Sequence, residues 1–148
     1  MWNEDYRSLK KRSEICSIAH FCANMHSTLY EEIRRISRIL ENEPNNSQAL
    51  CNRGQMYLRR GELEAARVDF QRAITIAPDE GDAYFWLATV QATRDEADEA
   101  IANLKRALER GYRWFGFVYK SEGWRKLRER PDVEALLQGY ADKYQVRL

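Results

Sequence analysis

The sequence predicts an all-α chain in which antiparallel helix pairs stack side by side into a solenoid. Three observations predict it. A pattern of large and small apolar residues recurs at a spacing of 34 residues, the mark of a helical repeat. Within each copy the apolar residues fall at i, i+3/i+4, i+7, the period of an amphipathic helix. Only 7 Gly and 3 Pro occur in 148 residues, and they punctuate the copies instead of filling long loops.

The clearest copy spans 47–80. Its first helix is expected from Ser47 to Arg60, with Asn46 or Ser47 as N-cap and Gly61 just past its end. Leu50, Arg53/Gly54 and Tyr57 form its packing stripe. Gly54 in a helix interior costs about 1 kcal/mol relative to Ala. Close approach of the second helix, where Ala66 is also small, is the expected compensation. That helix runs from Glu62 to Ile76 with Leu63, Ala66, Phe70, Ala73 and Ile74 on one side, and Pro78 prevents its continuation.

Moving forward by 34 residues reproduces the pattern over 81–114. Tyr84 stands for Leu50, Leu87 and Ala88 take the small step, and Ala100, Leu104 and Ala107 follow Ala66, Phe70 and Ala73. Thr93-x-x-Glu96 reads as a capping box opening the second helix of this copy. Moving backward gives a degenerate copy over 13–46. Thr28-x-x-Glu31 opens its second helix, Ile33, Ile36 and Ile39/Leu40 form the stripe, and Pro44 ends it, but Glu32 replaces the small residue. Residues 1–12 read as a helical extension or arm, and 115–148 as capping helices, the whole forming a single domain.

Leu50, Gly54, Tyr57, Ala66, Phe70, Ala73 and Pro78 sit at the spacings of the tetratricopeptide (TPR) consensus, which the chain therefore resembles. The resemblance covers about three repeats, 13–46, 47–80 and 81–114. It implies a right-handed α-solenoid. The C-terminal part is similar to the segment that caps many bacterial TPR arrays: a short aromatic helix, a Leu-Arg-x2-Pro step (Leu127, Arg128, Pro131), and a last helix. That helix is expected from Asp132 to Tyr144 with Val133, Leu136/Leu137, Tyr140 and Tyr144 inward. Trp114, Phe115, Phe117, Val118 and Tyr119 are read as a plug for the open end of the stack, a sticky binding patch being the alternative.

The resemblance further implies a protein-protein interaction adaptor or scaffold that holds a peptide in a concave groove lined by the first helix of each repeat. Carried onto this sequence, the groove residues are Phe21 and Asn24, then Gln48, Asn52, Gln55 and Arg59, then Asp82, Phe85, Trp86 and Thr89. Trp86 is also open to a second reading, as partly core against the cap. The family's dicarboxylate clamp for chaperone tails is disfavoured. Its positions hold Ser17, Phe21, Asn52, Asp82 and Trp86, of which only Asn52 fits, and Asp82 would repel a carboxylate.

Charge and composition exclude several classes of function. With 24 Lys+Arg against 23 Asp+Glu, the net +1 supplies no field for nucleic acid or anionic membranes. Only 111–148 leans positive, with 8 basic residues against 5 acidic. No apolar run reaches the length of a membrane span, and the polar N-terminus lacks a signal peptide's apolar stretch. Three cysteines, an odd number, suit reduced thiols and a cytoplasmic location.

Cys16, His20, Cys22 and His26 have metal-ligand chemistry. On a helix, however, they lie at about 0°, 40°, 240° and 280°, two pairs that cannot close a tetrahedral site. No phosphate loop, nucleophile elbow or zinc-protease motif occurs. No metal, cofactor or enzymatic activity is expected. The expected oligomeric state is a monomer or weak homo-oligomer. The competing function is a structural module that homo-oligomerises through its repeat ends, with no groove ligand.

Overall fold

A computed structural model describes residues 28–114 and 116–145. Every regular element among them is helical. Helix α1 covers 28–42; it is followed by α2 (Ser47–Arg59), α3 (Leu63–Ile76), α4 (Gly81–Thr93), α5 (Ala97–Glu109), α6 (Gly116–Lys120), a 3₁₀ turn (Glu122–Trp124) and α7 (Pro131–Tyr144). The arm at 1–12 and the first helix of the degenerate copy lie outside the described residues, as does the Cys16–His26 cluster.

Pairs α2–α3 and α4–α5 each fold back on themselves, and α3 packs on α4 to join them. The 34-residue echo is visible in the backbone. Gly61 N–H donates to the Leu58 carbonyl and Glu62 N–H to that of Tyr57. One repeat later Asp95 N–H donates to Ala92 and Glu96 N–H to Gln91. Both are Schellman closures, which place the residue after the C-cap in the left-handed region. Gly61 has φ 78° and Asp95 φ 62° there.

That closure overturns the capping-box expectation for Thr93. Thr93 is the last residue of α4, and its hydroxyl donates back to the Thr89 carbonyl at 2.8 Å. Glu96 makes no side-chain cap and accepts from Arg94 instead. Asn46 does cap α2, its side chain accepting from Ala49 N–H at 2.9 Å.

The core follows the predicted stripes closely. Leu50, Ala66, Phe70 and Ala73 are buried together with Ile36 and Leu40 from α1. Ile39 faces outward, so Leu40 carries that step of the stripe. At Gly54 the residue that needs the missing side chain is Phe70: a Cβ there would sit 2.7 Å from its Cε1.

A second cluster joins α4 and α5 to the C-terminal segment through Phe85, Leu104, Leu108, Tyr112, Val118, Trp124, Val133 and Leu137. The 3₁₀ turn lies on α4 and α7 lies against α5. Val118 and Trp124 are fully buried and close the open end. Trp114, Phe117 and Tyr119 are 71%, 45% and 39% exposed, which corrects their reading as part of the plug. The reason is helical geometry: on the five-residue α6 one face suffices to seal the stack, and Val118 occupies it. On α7 the buried line is Val133, Leu137 and Ala141, with Leu136, Tyr140 and Tyr144 partly covered.

Candidate functional site

The open faces of α2 and α4, together with the start of the cap, enclose a groove of about 650 Å³. Its walls include Gln55, Leu58 and Arg59 of α2, Trp86 and Thr89 of α4, and Phe117, Ser121 and Glu122 of the cap. Met56 and Leu63 add apolar surface. The helices α2 and α4 supply two walls of this hollow, and the cap forms its third.

Trp86 stands at the centre of this arrangement. Half-buried, it packs against both core clusters. Its ring meets Phe85 edge-on at 5.4 Å and Phe117 edge-on at 5.4 Å. One part of this residue is core and another part lines the groove.

Among the described residues, the other expected groove residues divide into three groups. Gln55 and Arg59 line the hollow beside Trp86. Gln48, Asn52 and Asp82 are exposed but lie outside its lining, with Gln48 donating to Asn52 Oδ1 at 3.1 Å. Phe85 and Thr89 are turned inward. Phe85 is 1% exposed, stacked on Tyr112 at 4.1 Å and on Trp124 at 6.4 Å. Thr89, 5% exposed, reaches the groove only at its floor, because its hydroxyl serves Trp124. The C-terminal segment claims these two side chains. Phe21 and Asn24 lie outside the described residues.

Sequence reasoning missed the contribution of the cap: Phe117, Ser121, Glu122 and Gly123 all border the hollow. Gly123 also lets the 3₁₀ turn approach α4, since a Cβ there would collide with the Thr93 side chain. The aromatic cluster at 114–119 was the available signal: its binding-patch alternative pointed here, while the plug reading set it aside.

The electrostatics are local. Arg59 has no ion-pair or hydrogen-bond partner among the described residues. Glu122, across the groove, is engaged by Arg125 at 3.1 Å. No group of three or more His, Cys, Asp or Glu residues with metal-binding geometry occurs among the described residues. Burial pushes the Cys51 thiol up to about 12, with the Glu80, Asp82 and Asp69 charges acting in the same direction, so it is an inert thiol.

Stacked antiparallel pairs of this length, the repeated Schellman closure and a side groove agree with the match of residues 47–80 to the tetratricopeptide repeat family. Residues 47–80 are a tetratricopeptide repeat. Tetratricopeptide repeat protein 13 of Homo sapiens is 31% identical over 104 residues, a match covering 63% of this chain and 12% of that protein. The chain thus spans a small part of the length of that relative. The crystal structure of MamA superposes with a TM-score of 0.55 at 22% identity, covering 76% of this chain and 63% of the MamA chain. At that identity the likeness concerns the fold. TPR folds of this kind are interaction modules. No helix among the described residues is long and apolar enough to cross a membrane.

Proposed function

We propose that the protein is a non-catalytic adaptor that holds a peptide or partner protein in the groove between α2, α4 and the cap. The observation that carries this reading is Trp86, a large, partly exposed aromatic lining a hollow of about 650 Å³. Aromatic anchors in concave sites dominate interface energies. Gln55 and Arg59 beside it can meet the polar backbone and side chains of an extended segment. Gln48, Asn52 and Asp82 extend the same helical faces beyond the hollow, and would meet a longer partner. A cytoplasmic setting belongs to the same proposal, since an odd count of three cysteines suits a reducing compartment.

The test is affinity capture with the intact chain, followed by binding of the recovered partner to Trp86→Ala/Asn52→Ala and to Val68→Ser. Val68 is exposed on α3, away from the groove lining. The double variant, one change in the groove and one on the α2 face beyond it, is expected to lose affinity while far-UV circular dichroism stays unchanged, and Val68→Ser to bind normally. Undiminished affinity of the double variant would defeat the assignment.

A further inference from the structure

We propose that the capping segment is part of the recognition surface, and that the ligand is an acidic peptide with two bulky apolar anchors. This rests on the groove reading above and adds a second subsite to it. A smaller hollow of about 160 Å³, lined by Trp114, Gly116, Phe117 and Lys120, adjoins the main one. Phe117 belongs to the lining of both, so the two hollows meet at this residue. A chain seated against Trp86 and Phe117 can continue toward Trp114. Each hollow takes one large side chain.

The two hollows share one chemistry. Each combines aromatic surface with one cation that lacks an ion-pair partner among the described residues, Arg59 in the first and Lys120 in the second. Other cations near the cap are occupied: Lys126 holds Asp95, Arg130 holds Asp132, and Arg128 donates to the Tyr119 carbonyl. The one carboxylate lining either hollow, Glu122, is taken by Arg125. The uncompensated charge along the path is therefore positive. A partner whose carboxylates flank its apolar anchors complements it, and a basic partner does not. Trp114 is 71% exposed, and an aromatic of that size left open beside a cation is what a second anchor would cover.

The experiment is selection of a phage-displayed random-peptide library on the full chain, repeated on four variants: Trp86→Ala, Phe117→Ala, Arg59→Glu and Lys120→Glu. Expected are peptides enriched in Asp or Glu around two large apolar residues. A synthetic peptide of the selected sequence should bind each charge-reversal variant about two- to fivefold more weakly, the scale of an exposed ion pair. Its affinity should fall with added salt. Arg59 and Lys120 are exposed, so their reversal leaves folding intact and tests the charge directly. Peptides sensitive to Trp86 or Phe117 but neutral or basic in composition would overturn the inference and leave the groove reading standing. Enrichment indifferent to both aromatic changes, or no enrichment at all, would overturn both.

Discussion

The indole N–H of Trp124 donates to Thr89 Oγ1 at 3.0 Å, and that hydroxyl in turn donates to the Phe85 carbonyl at 3.0 Å. Thirty-five residues separate the two side chains, and both are buried. One hydroxyl thus locks the cap onto the third repeat. Thr89→Val preserves shape but strands the indole donor, and should destabilise by about 1–3 kcal/mol in urea denaturation. In a Trp124→Phe background there is no donor left to strand, so the same change should cost distinctly less. Equal costs in the two backgrounds would mean that the bond contributes nothing.

Two glycines inside helices should respond in opposite directions to alanine. At Gly54 a Cβ would lie 2.7 Å from Phe70 Cε1, and Phe70 is fully buried, so its ring has nowhere to move. Overpacking of that kind costs about 1–3 kcal/mol, more than the helix-propensity gain of about 1 kcal/mol can offset in most of that range. At Gly139, in the middle of α7, a Cβ meets nothing within 4 Å. Gly139→Ala should therefore stabilise by about 0.5–1 kcal/mol. Thermal melts of the two variants, expected to shift to opposite sides of the parent, check the pair.

Much of the fold was legible because its contacts are local. Leu50, Gly54, Ala66, Phe70 and Ala73 meet within one repeat, so their spacing encodes their packing. The groove was less legible, and α4 shows why. Ala83, Tyr84, Phe85, Leu87, Ala88, Thr89 and Val90 are all buried, leaving no polar face to mark the outside. Phe85 and Trp86 are neighbours in sequence, and only the cap decides which of them is core. Asp95 misled for a related reason: it does in the third repeat what Gly61 does in the second, and a left-handed Asp carries no sequence signature beyond the repeat register itself.

Cys51 supplies a pH dependence. Burial, with nearby carboxylates, raises its thiol from the usual 9.0 to about 12. Below pH 9 both folded and unfolded thiols are protonated, and the group leaves stability unchanged. Between pH 9 and 12 the unfolded chain ionises this thiol while the folded chain keeps the proton, so stability falls as pH rises. The slope from this group approaches about 1.4 kcal/mol per pH unit. Burial of Tyr112, beside Asp82, raises its phenol and acts in the same direction at higher pH. Iodoacetamide at pH 8 should leave the Cys51 peptide unmodified in mass-spectrometric mapping until denaturant is added. Rapid native labelling would contradict the burial.

Arg53 and Asp69 form the electrostatic tie of the second repeat. Arg53 Nε and Nη2 donate to the two carboxylate oxygens of Asp69 at 2.7 Å each, and Nη1 donates to Ser37 Oγ at 3.1 Å. One guanidinium therefore spans α1, α2 and α3. Asp69 is 3% exposed while the Arg53 side chain keeps one edge in water, and pairing holds the guanidinium above its usual value. Asp69→Ala leaves the Arg53 guanidinium, one-fifth exposed, without its carboxylate, a loss of about 1.5–3 kcal/mol. Replacing both, as Arg53→Met/Asp69→Leu, removes the charge along with its partner and should restore most of that stability. Ser37→Ala should cost no more than about 1.5 kcal/mol, since the guanidinium keeps its carboxylate. Urea titrations of the three variants decide the matter. A double variant as unstable as Asp69→Ala would show that the site depends on the pair's geometry and not merely on avoiding an unpaired charge.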